Sequence, residues 1–354
     1  MHKGWPIFNL LRRLCLLLTG FLLLNVVFRC RQEVKPEVLH LNGSTMGTTW
    51  SASLVAGSGG TEAEALQQSL QSRLDQINGL MSTYDPASEL SRFNSQASTD
   101  WFAISEETAR VIDLSLEISR MTGGSFDISV GPLVELWGFG ATLRKESIPS
   151  EREVDQALAR VGYQNIQVRL DPPAVRKQVP ALRIDLSAIA KGYAVDALAE
   201  LLREQGCKDF LVEIGGELKA SGQRGDGSFW RIAIEKPLED RREVGKVFVL
   251  TDIALATSGN YRNFYLEDGQ RYVHTLDPVT GRPVRNRLAS VTVLDQACAR
   301  ADALATALMV MGEEKARRFC EEHDLAAYFF IHEKTSLAIY ASRAFRGLAK
   351  EVEQ

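Results

Sequence analysis

Asp302 and Thr306 lie four residues apart in a run, 301–311, whose composition is strongly helical. Residues at this spacing share one face of an α-helix, so the carboxylate and the hydroxyl could present oxygens to the same point. Oxygen donors suit Mg²⁺, which keeps coordination positions open for substrate phosphates. A lone pair of this kind is more commonly an acid that stabilises the helix dipole and a threonine bonded back to its own helix. The pair alone leaves both interpretations open.

A second stretch, 184–196, combines an apolar strand end, a polar turn and the first turns of a helix. Asp185, Ser187 and Lys191 fall at this junction, where free backbone N–H groups and the helix dipole attract anions. These residues therefore indicate a cradle for a phosphorylated ligand. A helix cap at Asp185 or Ser187, with Lys191 in water, explains the same residues without a ligand.

His274 stands just before an Asp-Pro-Val-Thr-Gly turn at 277–281, in which proline fixes φ and glycine relieves strain. With an ordinary pKa of about 6.5, histidine is the side chain best matched to taking a proton from a hydroxyl near neutral pH. A single histidine is more often structural. The sequence therefore offers His274 as a candidate base and does not decide its role.

Further clusters of Gly, Asp, Thr and Ser separate apolar stretches, at places where backbone N–H groups can approach a phosphorylated ligand. They lie at 46–50, 81–85, 124–133, 136–140, 215–217 and 256–262. Tyr84 could stack on a planar ring or join the core, whereas Trp137 and Phe139 are interpreted as core. The motifs GxGxxG, GxxxxGKS, GxxxxGKT, HExxH and GxSxG are absent, which disfavours the simplest dinucleotide, P-loop, zinc-protease and serine-hydrolase classes.

Amphipathic helices must hold these loops. Apolar residues at helical spacing predict a helix over 66–81 that packs on a sheet, and a second helix is predicted over 105–121, stopped by glycines at 123 and 124. Ser150 with Glu153 forms a capping box that opens a shorter helix, and a long helix follows Asp185.

Short β-branched or apolar runs predict strands at 48–55, 210–214, 230–234, 247–250, 289–294 and 326–331. Helices and strands mix without a strict βαβ rhythm. This favours an α+β fold, with mixed or antiparallel sheets and packed helices, over a doubly wound parallel sheet.

The overall charge excludes one class of partner. The chain has 354 residues, with 41 Lys and Arg against 45 Asp and Glu, so it lacks the basic excess that binding to nucleic acid would need. Beyond the leader, Cys207, Cys298 and Cys320 show no CxxC spacing and suggest neither a disulfide framework nor a zinc site, although one pair could form a bridge.

The N-terminus has the layout of a targeting segment, because Lys3, Arg12 and Arg13 precede an apolar run at 14–28. We expect export, with a signal or anchor at 1–31, a polar tether at 32–43, a single catalytic domain at 44–349 and a solvated tail at 350–354. Cys30 stands where a lipid-modified cysteine would stand, but Phe28 and Arg29 are not the small residues that lipoprotein processing prefers. A lipid anchor, an uncleaved helix and a cleaved signal all stay open.

Taken together and in order, eight motifs resemble those of the FAD:protein FMN transferases, the ApbE family once labelled thiamine-biosynthesis lipoproteins. They are Met-Gly-Thr-Thr-Trp, Thr-Tyr-Asp, Phe-Asp-Ile-Ser-Val-Gly-Pro-Leu, Asp-Leu-Ser-Ala-Ile-Ala-Lys-Gly-Tyr, Gly-Gly-Glu, Thr-Ser-Gly-Asn-Tyr, His-Thr-Leu-Asp-Pro-Val-Thr-Gly-Arg-Pro and Ala-Asp-Ala-Leu-Ala-Thr-Ala. Each is ordinary alone, but the ordered set is specific and spans 46–312. The resemblance implies the family's α+β, T-fold-like architecture.

The resemblance also implies an enzyme that splits the pyrophosphate of FAD, places FMN on a threonine of a partner protein and releases AMP. The family's FAD contacts fall on Met46, Tyr84, Ser125, Phe126, Asp127, Asp185, Lys191 and Leu276. Its Mg²⁺ ligands fall on Asp302, Thr306 and the Ala188 carbonyl. In the mechanism we expect, Mg²⁺ neutralises the pyrophosphate and His274 takes the proton of the acceptor threonine.

Members of the family work at the periplasmic side of the bacterial inner membrane and modify subunits of membrane redox complexes, so the resemblance implies membrane anchoring and such an acceptor here. The departure is Arg29 before Cys30, where typical members have a lipobox. Two alternatives stay open: an FAD pyrophosphatase, in which water replaces the threonine, and a periplasmic flavin-binding protein without turnover.

Overall fold

The computed structural model of the chain describes residues 38–55, 62–141 and 148–352. The predicted signal or anchor, 1–31, and the first part of the predicted tether, 32–37, lie outside these ranges. In the described ranges, no helix combines the length and the apolar character that crossing a bilayer requires.

The helices and strands are numbered here in chain order. The strands are β1 Val38–Thr45, β2 Thr48–Val55, β3 Phe102–Ala103, β4 Ile166–Leu170, β5 Pro173–Lys177, β6 Phe210–Ile214, β7 Glu217–Ser221, β8 Trp230–Glu235, β9 Val244–Leu250, β10 Ile253–Gly259, β11 Phe264–Glu267, β12 Gln270–Val273, β13 Leu276–Asp277, β14 Arg282–Pro283, β15 Leu288–Asp295, β16 Ala326–His332, β17 Leu337–Ala341 and β18 Lys350–Val352. The helices are α1 Ala63–Met81, α2 Glu89–Ser95, α3 Glu106–Met121, α4 Gly131–Leu136, α5 Glu151–Leu158, α6 Ala190–Glu204, α7 Cys298–Met311, α8 Glu313–Glu322 and α9 Arg343–Leu348.

The largest sheet has the strand order β1-β2-β6-β7-β10-β15-β16-β17, and each pair of neighbours in it is antiparallel. A smaller antiparallel sheet has the order β18-β9-β8. Helices and antiparallel sheets together confirm the predicted α+β fold.

The largest sheet is covered on both faces. Helices α1, α6 and α7 pack on one face, α3 packs on α7 and on strands β4 and β5, and the small sheet packs on the other face. Strand β10 shows the consequence, since Ala254 and Ala256 face the helices while Ile253 and Leu255 face the small sheet. A strand buried on both faces reads as a continuous apolar run rather than as an alternating one.

The helices follow the sequence signals closely. The residues of α1 that are buried are those whose spacing predicted the helix: Leu66, Leu70, Leu74, Ile77 and Met81. Helix α3 begins after Ser105, whose hydroxyl accepts the Thr108 N–H, and ends before glycines at φ 59° and 83°. The predicted capping box at Ser150 and Glu153 is present in α5.

Two boundaries at the ends of the chain differ from the prediction. Residues 38–43 of the predicted tether belong to β1, which pairs with β2 from Val38 opposite Val55 to Thr45 opposite Thr48. The two-residue turn between them, Met46 and Gly47, has positive φ angles of 49° and 71°, the geometry that joins tightly paired strands. In the predicted tail, β18 pairs with β9 instead of lying free in solvent.

Helices α6 and α7 cross unusually closely at Gly192. A Cβ atom built on Gly192 would lie 2.4 Å from the Cys298 carbonyl oxygen and 2.8 Å from the Ala299 Cα. Both neighbours are backbone atoms that cannot rotate away, so the crossing requires glycine. The contact places the start of α6 against the first turns of α7.

We expect Gly192→Ala to lower the free energy of unfolding by about 1 to 3 kcal/mol, because the added methyl group forces the two helix backbones apart. Gly79→Ala is the matched control, since Gly79 is also helical but has open space around its Cα. That control should raise the stability by up to about 1 kcal/mol, through helix propensity alone. Urea unfolding of both variants measures the difference; a Gly192→Ala protein as stable as the parent would contradict the argument.

Candidate active site

One cavity of about 810 Å³ collects all but one of the predicted site residues. Its lining comes from the β6–β7 hairpin, from the ends of β8 and β10, from the turn before α6 and from one face of α7. Segments far apart in the chain therefore meet at one point. Of the predicted set, the cavity is lined by Tyr84, Ser125, Phe126, Asp127, Asp185, Ala188, Lys191, His274, Leu276, Asp302 and Thr306.

Met46 is the predicted site residue that the fold does not bring to this cavity. It occupies the β1–β2 turn and borders a separate, shallower hollow formed by residues 44–49. Thr48 and Thr49 of the same motif line both spaces. The motif therefore contributes to the site through its threonines.

Asp302 and Thr306 face the cavity from α7, as their spacing predicts. Asp302 is buried, and its Oδ2 accepts the Gly192 N–H at 3.0 Å. Burial raises the pKa of the Asp302 carboxyl, while the Lys191 ammonium and the Gly192 N–H counteract the rise. The carboxylate thus joins the two helices and still presents an oxygen to the cavity.

The donor set at this end of the cavity fits a hard cation. Asp302 offers a carboxylate, Thr306 a hydroxyl and Ala188, in the turn before α6, a backbone carbonyl. Across the described ranges, no three His, Cys, Asp or Glu side chains converge on a point where a metal ion could bind. A cation here would therefore depend on hydroxyl and carbonyl oxygens beside the one carboxylate, a set that suits Mg²⁺ better than zinc.

Lys191 is not a solvated lysine. Its Nζ lies 2.6 Å from Oε2 of Glu217, a carboxylate with only 2% of its side chain exposed. Burial works to lower the pKa of Lys191, but the charges of Glu217 and Asp302 together raise it above its ordinary value. Lys191 is therefore a fixed positive charge in the cavity wall and not a side chain in bulk water.

Hydrogen bonds on both sides hold the short segment that carries Asp185 in place. Its N–H donates to the Ile128 carbonyl at 2.7 Å, beside a parallel bridge between Val130 and Arg183. On the other side the buried Asn94 side chain donates to the Ile184 carbonyl and accepts the Ile184 N–H, both at 2.7 Å. The Asn94 amide thus replaces a neighbouring strand and fixes the turn that carries Asp185.

Asp127 shapes its loop through its carboxylate. One carboxylate oxygen accepts the N–H and the hydroxyl of Ser129, at 2.7 and 2.6 Å, and the other accepts the Tyr163 N–H at 2.9 Å. Burial raises the pKa of Asp127, and these donors counteract the rise. Phe126 is buried in the core. These two residues therefore serve the cavity chiefly by holding the loop at Ser125 in shape.

His274 is positioned with one defined ring nitrogen as the donor. Its Nδ1 lies 3.1 Å from the Asn263 carbonyl oxygen, which can only accept, so Nδ1 carries the proton and Nε2 is the basic nitrogen. Burial lowers the pKa of His274, the Asn263 carbonyl opposes this, and Lys191 adds to the lowering. The imidazole is therefore neutral and ready to accept a proton at neutral pH.

The aromatic residues divide as follows. Tyr84 is 64% exposed, and its hydroxyl donates to the Phe139 carbonyl at 3.3 Å, so it is free of the core and available for stacking. Trp137 is buried and stacks on Tyr272, as the core interpretation predicts. Phe139, also interpreted as core, is only half-buried and lines the cavity.

Sequence reasoning did not assign a role to several cavity residues. Glu217 was visible only as the end of the Gly-Gly-Glu motif. Arg242 and Arg262 also face the cavity and share the carboxylate of Glu235, whose oxygens lie 3.5 and 2.6 Å from the two guanidinium groups. Arg262 was visible only as the end of the 256–262 cluster, and Arg242 lies in a charged loop that nothing in the sequence distinguishes.

The described cysteines Cys207, Cys298 and Cys320 are all free thiols, so no bridge forms between any two of them.

Comparison with known proteins identifies the family. The ApbE family model matches residues 46–329. A FAD:protein FMN transferase of Vibrio cholerae serotype O1 is 42% identical over 314 residues, covering 89% of this chain and 93% of the relative. The chain belongs to the ApbE family. The resemblance inferred from the motifs is thereby confirmed.

Two solved ApbE structures share the fold. The flavin transferase ApbE from Vibrio cholerae superposes with a TM-score of 0.82 and 41% identity, covering 88% of this chain and 99% of that one. The flavinyl transferase ApbE of Pseudomonas stutzeri gives a TM-score of 0.81 with 37% identity, covering 88% and 97%. The α+β architecture is therefore that of the ApbE family.

Proposed function

We propose that this chain transfers FMN from FAD to a threonine hydroxyl of an acceptor protein, with Mg²⁺ required and AMP released. Its ApbE relatives make it an enzyme of the FAD:protein FMN transferase type. The Mg²⁺ requirement, the threonine target and the leaving group are the finer parts of the proposal. The first rests on the oxygen donors of the cavity, and the other two rest on the motif resemblance to the ApbE family.

The observation that carries the proposal is the presence of His274, Lys191 and Asp302 around one cavity. A base, a fixed cation and a carboxylate with oxygen-donor neighbours are what transfer of a phosphoryl-linked group to a hydroxyl needs. The exposed ring of Tyr84 offers a stacking surface to a planar ligand at the same cavity.

Asp302, Thr306 and the Ala188 carbonyl would hold Mg²⁺. When bound there, Mg²⁺ supplies charge neutralisation to the pyrophosphate of FAD. Lys191 binds a phosphate oxygen and directs the pyrophosphate toward the acceptor, because its ammonium is fixed in the cavity wall. The loop at Ser125 and the turn at Asp185 complete the substrate pocket.

Beyond charge neutralisation, the step needs a proton acceptor and alignment of the reacting groups. Nε2 of His274 takes the proton of the acceptor threonine while the threonine oxygen attacks the FMN phosphorus. A new P–O bond to threonine forms, the bond from that phosphorus to the bridging oxygen breaks, and AMP leaves with the electron pair. The proton then passes from His274 to solvent or to the leaving phosphate.

We also propose that the enzyme works at the periplasmic side of the bacterial inner membrane, on a subunit of a membrane redox complex. The basic and apolar pattern at the N-terminus, in residues that the structure does not describe, supports export. The class of acceptor rests on the motif resemblance to the ApbE family.

Incubation with FAD, Mg²⁺ and a candidate acceptor tests the proposed function. Intact-mass and peptide mass spectrometry should show one FMN added at a threonine, with an equal amount of AMP by chromatography. FMN and AMP without a modified acceptor would instead indicate hydrolysis of FAD, and FAD that stays intact for hours would indicate a binding protein.

We expect kcat/KM to be level above neutral pH and to fall as the pH drops below the ordinary histidine value of about 6.5, because the lowered pKa of His274 keeps it unprotonated until then. His274→Ala should lower kcat/KM by about 10²- to 10⁴-fold and remove this acidic limb. His332→Ala is the control, since burial also lowers the pKa of His332 but the residue does not line the cavity. Transfer by His274→Ala at the parental rate would exclude His274 as the base.

Asp302→Asn should raise the Mg²⁺ concentration needed for half-maximal transfer by at least about tenfold. The amide oxygen can still accept the Gly192 N–H, so the helix contact survives while the negative charge on the cation side is lost. Asp113→Asn, on the exposed face of α3, controls for the loss of one charge. A Mg²⁺ titration of the three proteins measures the effect, and an unchanged midpoint for Asp302→Asn would remove this residue from the metal site.

A further inference from the structure

Glu217 is a buried carboxylate in the candidate active site to which the mechanism above assigns no role. It opens β7 directly after Gly215 and Gly216, which take φ angles of 60° and 107° in the β6–β7 hairpin. A Cβ on Gly215 would lie 2.8 Å from the Thr48 side chain, so the hairpin is seated against the β1–β2 hairpin. The backbone that carries Glu217 is therefore fixed.

The Glu217 side chain pairs with the Lys191 ammonium and is also subject to the negative charge of Asp302. Its Oε2 lies 2.6 Å from Nζ of Lys191, and no described group meets this oxygen in good hydrogen-bond geometry. The Lys191 side chain is 30% exposed and lines the cavity, whereas that of Glu217 is 2% exposed. An ammonium has three N–H donors. The Lys191 ammonium therefore lies between the buried Glu217 carboxylate and the cavity.

A second ion pair joins the same two elements outside the cavity. Lys219, two residues along β7, lies with its Nζ 2.7 Å from Oδ1 of Asp196 on α6. The contact between α6 and β7 therefore already has an ionic link that does not line the cavity. Burial of a further carboxylate at the cavity wall costs desolvation free energy. Linking α6 to β7 therefore does not account for the presence of Glu217.

We propose that Glu217 is a positioning residue that holds the Lys191 ammonium in the direction from which it contacts the phosphates of the substrate. The inference rests on the proposed function and deepens it. A lysine side chain is long, flexible and strongly hydrated, so its charge is useful to a transition state only if its direction is set beforehand. Glu217 sets that direction and partly neutralises the charge of Lys191 until phosphate binds.

This role predicts a divided effect in Glu217→Gln. The amide keeps the shape of the side chain but no longer competes for the ammonium, so FAD should bind about 3- to 10-fold more tightly in metal-free buffer. Lys191 then lacks a fixed direction, so kcat for transfer should fall about 10- to 100-fold. Fluorescence titration of FAD in EDTA and steady-state transfer with Mg²⁺ and the acceptor measure the two quantities.

A double-mutant cycle with Lys191→Met isolates the pairing. If Glu217 acts through Lys191, both effects of Glu217→Gln shrink to about 2-fold or less in the Lys191→Met background. Lys219→Met is the matched control, because it breaks the other α6–β7 ion pair and should lower thermal stability with kcat within about 2-fold of the parent. Equal effects in both Lys191 backgrounds, or weaker FAD binding with a stability loss like that of Lys219→Met, would overturn the proposal.

A second variant and a binding measurement without turnover complete the test. If Glu217→Gln does not fold, Glu217→Asp replaces it, because this variant keeps the charge but shortens the side chain. It should lower kcat without tightening FAD binding. An unchanged kcat in Glu217→Asp would also overturn the proposal. The FAD titrations in EDTA need no turnover. A parent protein that binds FAD but transfers no FMN would therefore refute the proposed function, while the binding cycle still judges Glu217.

Discussion

The crossing of α6 and α7 at Gly192 is the contact on which the candidate site depends. Without a Cβ at this position the helix backbones approach closely enough for the Gly192 N–H to reach Asp302. The same approach brings Lys191, the preceding residue, into the wall that Asp302 faces. On the far side Tyr193 donates to Glu107 of α3 at 2.6 Å, and Glu107 in turn binds Arg73 of α1. The start of α6 is thereby fixed from two directions.

Burial gives this site its electrostatic character. Glu217 and Asp302 lie almost out of reach of water, and burial raises the pKa of both carboxyls while Lys191 opposes the rise. Charges held in such surroundings destabilise a fold unless they compensate one another. The cluster has one cation for two carboxylates, so it favours the arrival of further positive charge. A divalent cation that accompanies a pyrophosphate meets that condition.

Much of the fold could be predicted from the sequence, because local periodicity decides it. The five buried residues of α1, the Ser105 cap of α3 and strand β6 all follow from patterns within a few residues. Strand β1 was missed since its polar residues hide a short alternation, and its pairing depends on the turn at Met46. In the site, motifs located the residues but not their partners. The Lys191–Glu217 pair and the ring orientation of His274 arise only when distant segments fold together.

Asn94 illustrates how a residue without chemistry can control a site. Its amide meets both backbone groups of Ile184, ninety positions along the chain, and takes the place of an absent strand next to Asp185. A mutational scan would report this asparagine among the most intolerant positions, beside true reacting groups. Loss of activity on substitution therefore reports residues that hold the backbone in place as well as residues that take part in the reaction. The two kinds of residue are distinguished only when folding is measured together with turnover.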